Sequence, residues 1–187
     1  MTGKYFLEEV KKKYFQNNSN KMKRIRLAEE DVKEVTSFEF TTTETMEEVR
    51  TILNICLPIP YSDPYFQSIR NNEITSLEAR MDNLLVGQVS WGIDKVTGKI
   101  YVYSLVVLSK YRGEGIGTKL MKRLLCECRN STIFLHVHSV NKFALNFYEK
   151  LGFKVKSAVP NFYRRLSPSV ALLLEREELS NEAEEAA

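Results

Sequence analysis

Apolar residues change their spacing along this chain, and each change marks an element. Met46, Val49, Ile52, Leu53 and Cys56 recur at three and four residues, which predicts a helix. Thr45, with Glu48 three residues on, has the pattern of a capping box at its start. Pro58 and Pro60 end it, because proline lacks the N–H and pushes its predecessor out of the helical region. Pro64 suits the first turn of a second, short helix running to about Ile69. A short strand is expected before these helices, at Val35–Phe40. After them come strands near Ser76–Met81 and Leu84–Gly92, joined at Asp82-Asn83, then a turn at Asp94–Lys99 and the apolar run Ile100–Leu108. Helical spacing returns in Ile116, Leu120, Met121, Leu124, Leu125 and Cys128. Thr132–His138 reads as a strand. Asn141–Leu151 reads as a helix with one stripe, Phe143, Ala144, Phe147, Tyr148 and Leu151, stopped by Gly152. Phe153–Ala158 and Val170–Glu177 read as a closing strand pair. The order β-α-α-β-β-β-α-β-α-β-β predicts an α/β fold with a mixed sheet.

Composition narrows this picture. A chain of 187 residues suits one domain with tails, and 43% hydrophobic residues can bury a full core. The net charge of +3 supports no nucleic-acid role for the chain as a whole. The charge is uneven, however. Lys4, Lys11, Lys12, Lys13, Lys21, Lys23, Arg24 and Arg26 crowd the start, and Glu178, Glu182, Glu184 and Glu185 crowd the end. The expected division is a basic extension at 1–34, a folded domain at 35–177 and an acidic, disordered tail at 178–187. A docking arm for rRNA or an acidic partner is the sharper reading of the extension; a solvated tail is the plainer one. Cys56, Cys126 and Cys128 lack disulfide or zinc spacing, which fits a reducing compartment. No run approaches membrane-spanning length and the start has no apolar leader region, so a cytoplasmic location is expected, with no membrane partner.

The chemistry concentrates in Arg112-Gly113-Glu114-Gly115-Ile116-Gly117-Thr118. The segment lies between the apolar strand and the helical pattern. A glycine-rich strand-to-helix turn presents backbone N–H groups to an anion, and the missing Cβ atoms allow a phosphate to approach them. It is not a P-loop, since Lys119 is followed by Leu120, and its Gly-x-Gly-x-Gly is not the dinucleotide fingerprint. A glycine-rich turn with no ligand is the alternative.

Arg112-x-x-Gly115-x-Gly117 resembles the acetyl-CoA signature of the GNAT acetyltransferases. Further segments in register extend the resemblance over roughly residues 35–177. They are Leu57-Pro58-Ile59-Pro60-Tyr61, Ile100 to Leu105, Phe134-Leu135-His136-Val137, Asn141 with Phe147-Tyr148, and Asn161-Phe162-Tyr163-Arg164-Arg165. Together they resemble the catalytic subunit of NatE-type N-alpha-acetyltransferases. The resemblance implies a GNAT-type α/β fold, a mostly antiparallel mixed central sheet flanked by helices. It implies transfer of acetyl from acetyl-CoA to protein N-termini, Met followed by a hydrophobic residue, with no metal. It also implies docking on the auxiliary subunit of the NatA complex at the ribosome, in the cytoplasm, with the nucleus open as a second compartment.

The same resemblance implies residue roles. Tyr101 and His136 fall on catalytic positions. Imidazole, with an ordinary pKa near 6.5, is the better base, and a phenol near 10 is a poor one at neutral pH. The pair is expected to share the proton through an ordered water. Leu105, Val106 and Val107, on a bulged strand, would meet the pantetheine arm and the oxyanion. Arg112 to Thr118 would cradle the pyrophosphate, with Asn141 and Tyr148 near the thioester. Leu57, Pro58, Ile59, Tyr61, Tyr103, Phe162, Tyr163 and Leu166 would enclose the peptide. Leu57 and Phe162 stand where the family usually has Phe and Tyr. His138 lies on the face of His136, but no third ligand follows at metal-binding spacing. Without the resemblance, His136 reads as a core histidine, Tyr101 as a cross-strand packing group and Tyr148 as core. Two rivals remain: a lysine or small-amine acetyltransferase, and a catalytically silent scaffold subunit.

Overall fold

The computed structural model describes residues 37–42 and 44–177, so the basic extension and the acidic tail expected at the two ends lie outside the described residues. Among the described residues seven strands form one sheet: β1 (Ser37–Phe40), β2 (Thr75–Met81), β3 (Leu84–Ile93), β4 (Ile100–Val107), β5 (Ile133–His138), β6 (Lys154–Val159) and β7 (Ala171–Arg176). Their order is β1-β2-β3-β4-β5-β7-β6. β4 and β5 run parallel and the other neighbours antiparallel. Four α-helices of the described residues flank the sheet: α1 (Met46–Cys56), α2 (Asp63–Arg70), α3 (Ile116–Glu127) and α4 (Lys142–Lys150). This is the mixed, mostly antiparallel α/β architecture expected. Among the described residues no helix is long and apolar enough to cross a membrane.

Local chemistry explains the joints. Asp82 and Asn83 both adopt positive φ, 49° and 62°, which matches the right-handed twist of a tight hairpin between β2 and β3. Pro64 sits in the first turn of α2, where a missing N–H removes no helical bond.

The two faces of the sheet differ. Leu77, Val89 and Trp91 share a core with Ile116, Leu120, Met121 and Leu124 of α3, and with Leu135, Phe153 and Leu174. The opposite face, under α1 and α2, is polar. Tyr65 of α2 bonds Ser90 and Ser104, Ser104 donates to Gln88, and Gln88 donates to Ser76. All these serines and Gln88 are buried, and no buried side-chain N or O among the described residues lacks a partner. A satisfied polar layer of this kind fixes one register for the helices above it.

Thr45 and Glu48 depart from the expected capping box. Thr45 is the N-cap of α1 but makes no side-chain cap bond. Its hydroxyl donates to Glu78 at 2.7 Å, and Glu48 reaches Arg80 at 2.8 Å. Both side chains are drawn to the buried Glu78–Arg80 pair, where an unmatched charge costs more than an uncapped amide.

Candidate acetyl-transfer site

The site begins where the sheet stops being continuous. β4 pairs with β5 at Ile100↔Ile133 and Tyr101↔Phe134 only. Beyond Tyr101 the two strands part, while β4 stays paired with β3 through Val107. The edge of Leu105–Val107 that faces β5 therefore has no ladder. A bulge was expected to free these amides. The bulge in β4 lies instead at Tyr103, skipped between Ser90↔Ser104 and Trp91↔Val102, and the parting of the strands exposes the 105–107 edge.

Two cavities of about 510 Å³ each meet at this gap. Leu57, Leu105, Asn141, Ala144 and Tyr148 line both, so they are two arms of one passage.

The first arm holds the glycine turn. Arg112, Gly113, Gly115, Ile116, Gly117 and Thr118 line it, with Val106 and Val107 of β4. Gly113 and Gly115 have φ of +91° and +78°, which disfavours any L side chain. A Cβ added at either would meet nothing within 4 Å, so the space beside them is open. Gly115 is the N-cap of α3, whose first amides point into that space. Arg112 donates through Nε to the Val107 carbonyl at 2.9 Å, which fixes its guanidinium at the mouth. The arrangement suits an anion such as a diphosphate. Glu114, expected in the cradle, is exposed and does not line the cavity; a carboxylate there would repel the anion.

The second arm is aromatic. Leu57, Pro58, Ile59 and Tyr61 come from the α1–α2 loop, Tyr101 and Tyr103 from β4, His136 from β5, and Phe162, Tyr163 and Leu166 from the β6–β7 loop. Every expected peptide-pocket residue lines this arm. Tyr61 stacks on Tyr65 at 4.0 Å. Phe162 lies flat on the His136 imidazole, 4.1 Å between centroids at 18°, and Tyr163 donates to the His136 carbonyl at 3.2 Å. Among the described residues no Asp, Glu, Lys or Arg lines the arm.

His136 Nδ1 lies 3.2 Å from the Tyr101 hydroxyl. Burial pushes the Tyr101 phenol well above its ordinary range, so it keeps its proton. Burial pushes His136 below its usual value and keeps it neutral. The hydroxyl and Nδ1 share one hydrogen bond, whose direction follows the imidazole tautomer. The two groups touch directly; the expected water does not separate them.

Sequence reasoning missed Cys56, Ser104, His138 and Phe143 as cavity-lining residues. Cys56 carried one usable signal, its place at the end of α1 just before the Leu57-Pro58 wall. Among the described residues no cluster of three or more His, Cys, Asp or Glu could hold a metal.

The parted β4–β5 pair, with a glycine turn between β4 and α3, is the scaffold of a family that the sequence identifies. The profile of the acetyltransferase (GNAT) family matches residues 46–153, and the chain belongs to that family. Among its relatives, N-alpha-acetyltransferase 50 of Danio rerio is 28% identical over 142 residues, covering 72% of this chain and 84% of that protein. The probable N-acetyltransferase san of Drosophila melanogaster is 26% identical over 141 residues, covering 72% and 77%. Among solved structures, Arabidopsis thaliana Naa50 in complex with the bisubstrate analogue CoA-Ac-MVNAL shares the fold, with a TM-score of 0.69 and 24% identity over 75% of this chain and 97% of that one.

Proposed function

We propose that the protein transfers acetyl from acetyl-CoA to the α-amino group of protein N-termini, with Met followed by a hydrophobic residue as the favoured start. The observation that carries this reading is the passage itself. An anion cradle opens on one side of the β4–β5 gap, a narrow aromatic arm opens on the other, and the Tyr101–His136 pair stands in the aromatic arm.

The residues of the cradle fit the diphosphate of acetyl-CoA, and the unpaired edge of Leu105–Val107 fits its amide-bearing pantetheine arm. Both substrates would then be present together: the amine attacks the thioester carbonyl without an acyl-enzyme, the C–N bond forms, and the C–S bond breaks to release CoA as a thiolate that takes a proton from solvent. Its proton leaves through a bridging water to the Tyr101 oxygen as the phenolic proton passes to Nδ1, so no phenolate accumulates. Backbone amides near Leu105–Val107 meet the oxyanion. Leu57, Pro58, Ile59, Tyr61 and Phe162 supply an apolar wall for the first side chain.

The uncharged arm separates this reading from its rivals. Lysine, small polyamines and aminosugars enter as ammonium ions that need a counter-charge, and the arm lined by Tyr101 and His136 has no carboxylate. An α-amine with a pKa of about 7.7–8.0 is roughly 2.5 units easier to deprotonate than lysine, about 3.4 kcal/mol. The names of the relatives, N-alpha-acetyltransferase 50 among them, point the same way. A silent scaffold would have no need of the Tyr101–His136 contact. On this reading the protein works in the cytoplasm, with the auxiliary subunit of the NatA complex and the ribosome as its partners.

The test uses purified protein, acetyl-CoA and a Met-Leu peptide containing one internal lysine, with its N-terminus free or blocked. Acetylation of the free peptide alone supports the proposal. Equal acetylation of the blocked peptide overturns it in favour of a lysine enzyme, and binding of acetyl-CoA without turnover favours the scaffold.

A further inference from the structure

Phe143 was expected in the buried stripe of α4, and the structure leaves it 75% exposed. The rest of the stripe explains why. Phe147, one turn on, packs against the first turn of α3: a Cβ on Gly117 would sit 3.6 Å from its ring. Tyr148 is buried in the core. Phe143 lies one turn nearer the start of α4. The stripe thus ends in an exposed ring. Its last ring lines the wall of the first arm, alongside Gly113 and Gly115, which leave open space beside them. Tyr111, Phe147 and Tyr148 also line this arm, and Phe143 is the exposed aromatic among the four.

We infer that Phe143 is the platform on which the adenine ring of the acetyl donor stacks. The inference rests on the acetyl-CoA reading above. In that donor the diphosphate separates an apolar, amide-bearing arm from a planar base. With the diphosphate at residues 113–118 and the arm directed along β4, the nucleoside leaves through the mouth of the cavity. A planar, uncharged group there can cover the face of an exposed phenyl ring, and the contact removes apolar surface on both sides from water. Substituting an aromatic platform under one base weakens binding by about tenfold or more.

Two donors separate this contact from others. Acetyl-CoA and S-acetyl-4′-phosphopantetheine carry the same thioester and arm, and only the first carries the nucleoside. The measured quantity is the preference of wild type and Phe143→Ala for acetyl-CoA over the truncated donor, as the ratio of kcat/KM values. The expected result is a drop in that preference of about tenfold, with the preference kept by Phe143→Trp. Trp at this surface position also gives an emission that CoA quenches and phosphopantetheine does not; the chain's own tryptophan, Trp91, is buried in the core. An unchanged preference in Phe143→Ala overturns the inference and leaves the acetyl-CoA reading intact. Equal losses with both donors overturn it too, placing the ring against the pantetheine arm. A wild type with no affinity for either donor overturns the reading beneath it.

Discussion

The Tyr61 hydroxyl donates to the backbone carbonyl of Tyr103, across forty-two residues of sequence. Tyr103 is the residue that the β3–β4 register skips, and its carbonyl is the one that Tyr61 takes. Burial pushes the Tyr61 phenol far above its ordinary range and keeps it a donor. The bond ties the Leu57-Pro58-Ile59-Pro60 wall to the strand that carries Tyr101. Tyr61→Phe removes the bond and little bulk. At about 1 kcal/mol, the KM for a peptide acceptor rises roughly fivefold with kcat little changed. Steady-state kinetics with a Met-Leu peptide check this, and a fall in kcat alone would contradict it.

His136→Ala and Tyr101→Phe each lower kcat by tenfold or more, in line with acid–base contributions of about 10²–10⁴. On the proposed mechanism the phenol and imidazole form one relay, so the double variant is no worse than the poorer single one. Multiplying losses would show two independent routes for the proton.

The pH dependence has a definite sign. Burial holds His136 below its usual value, so the imidazole stays a base to lower pH than a free histidine. The acid limb of kcat therefore falls below pH of about 6.5. Stability follows the same group. The unfolded chain binds the proton more readily, so stability drops as pH falls through about 6.5 towards the folded value, and is unaffected above that window. His136→Gln flattens this part of the stability curve. An acid limb at or above the free-histidine value would contradict the assignment.

Gly115→Ala places a Cβ at φ +78° and into the cradle. The backbone strain of about 1–2 kcal/mol lowers Tm by a few degrees. The larger effect is on the donor: at about 1.5–3 kcal/mol for a lost hydrogen bond to a charged group, the KM for acetyl-CoA rises roughly tenfold or more. Calorimetric titration with CoA, set beside a melt, separates the two.

Arg80→Met strands the carboxylate of Glu78, which is 0% exposed and takes 2.5 Å and 2.9 Å bonds from the guanidinium. The loss is about 3–5 kcal/mol by urea unfolding, and Glu78→Gln in the same chain restores part of it. A loss below 1 kcal/mol would mean that water reaches Glu78.

Much of this was legible in the sequence, because most elements carry their own signals. The helix over Met46–Cys56 shows its stripe and its proline stop, and the β2–β3 hairpin shows Asp82-Asn83. What was not legible depends on distant partners. Nothing in the local pattern of Ser76, Gln88, Ser90 and Ser104 tells that they are buried and bond one another. Thr45 and Glu48 have the spacing of a cap, and a charge pair on β2 takes both side chains. Phe143 has the spacing of a core residue, and the structure leaves it exposed. The Tyr101–His136 contact joins strands that pair at two positions, so periodicity could not have placed it; the resemblance to a family did.

The parting of β4 from β5 after Tyr101 has one more consequence. Elsewhere an unfinished strand edge invites another chain and is a hazard. Here the defect sits mid-sheet, walled by loops on one side and α4 on the other, so only something as slender as a single extended strand can mend it. Selectivity for the donor's shape is then a by-product of leaving a seam unsewn, and any mutation that let the two strands zip further would shut the enzyme by perfecting its sheet.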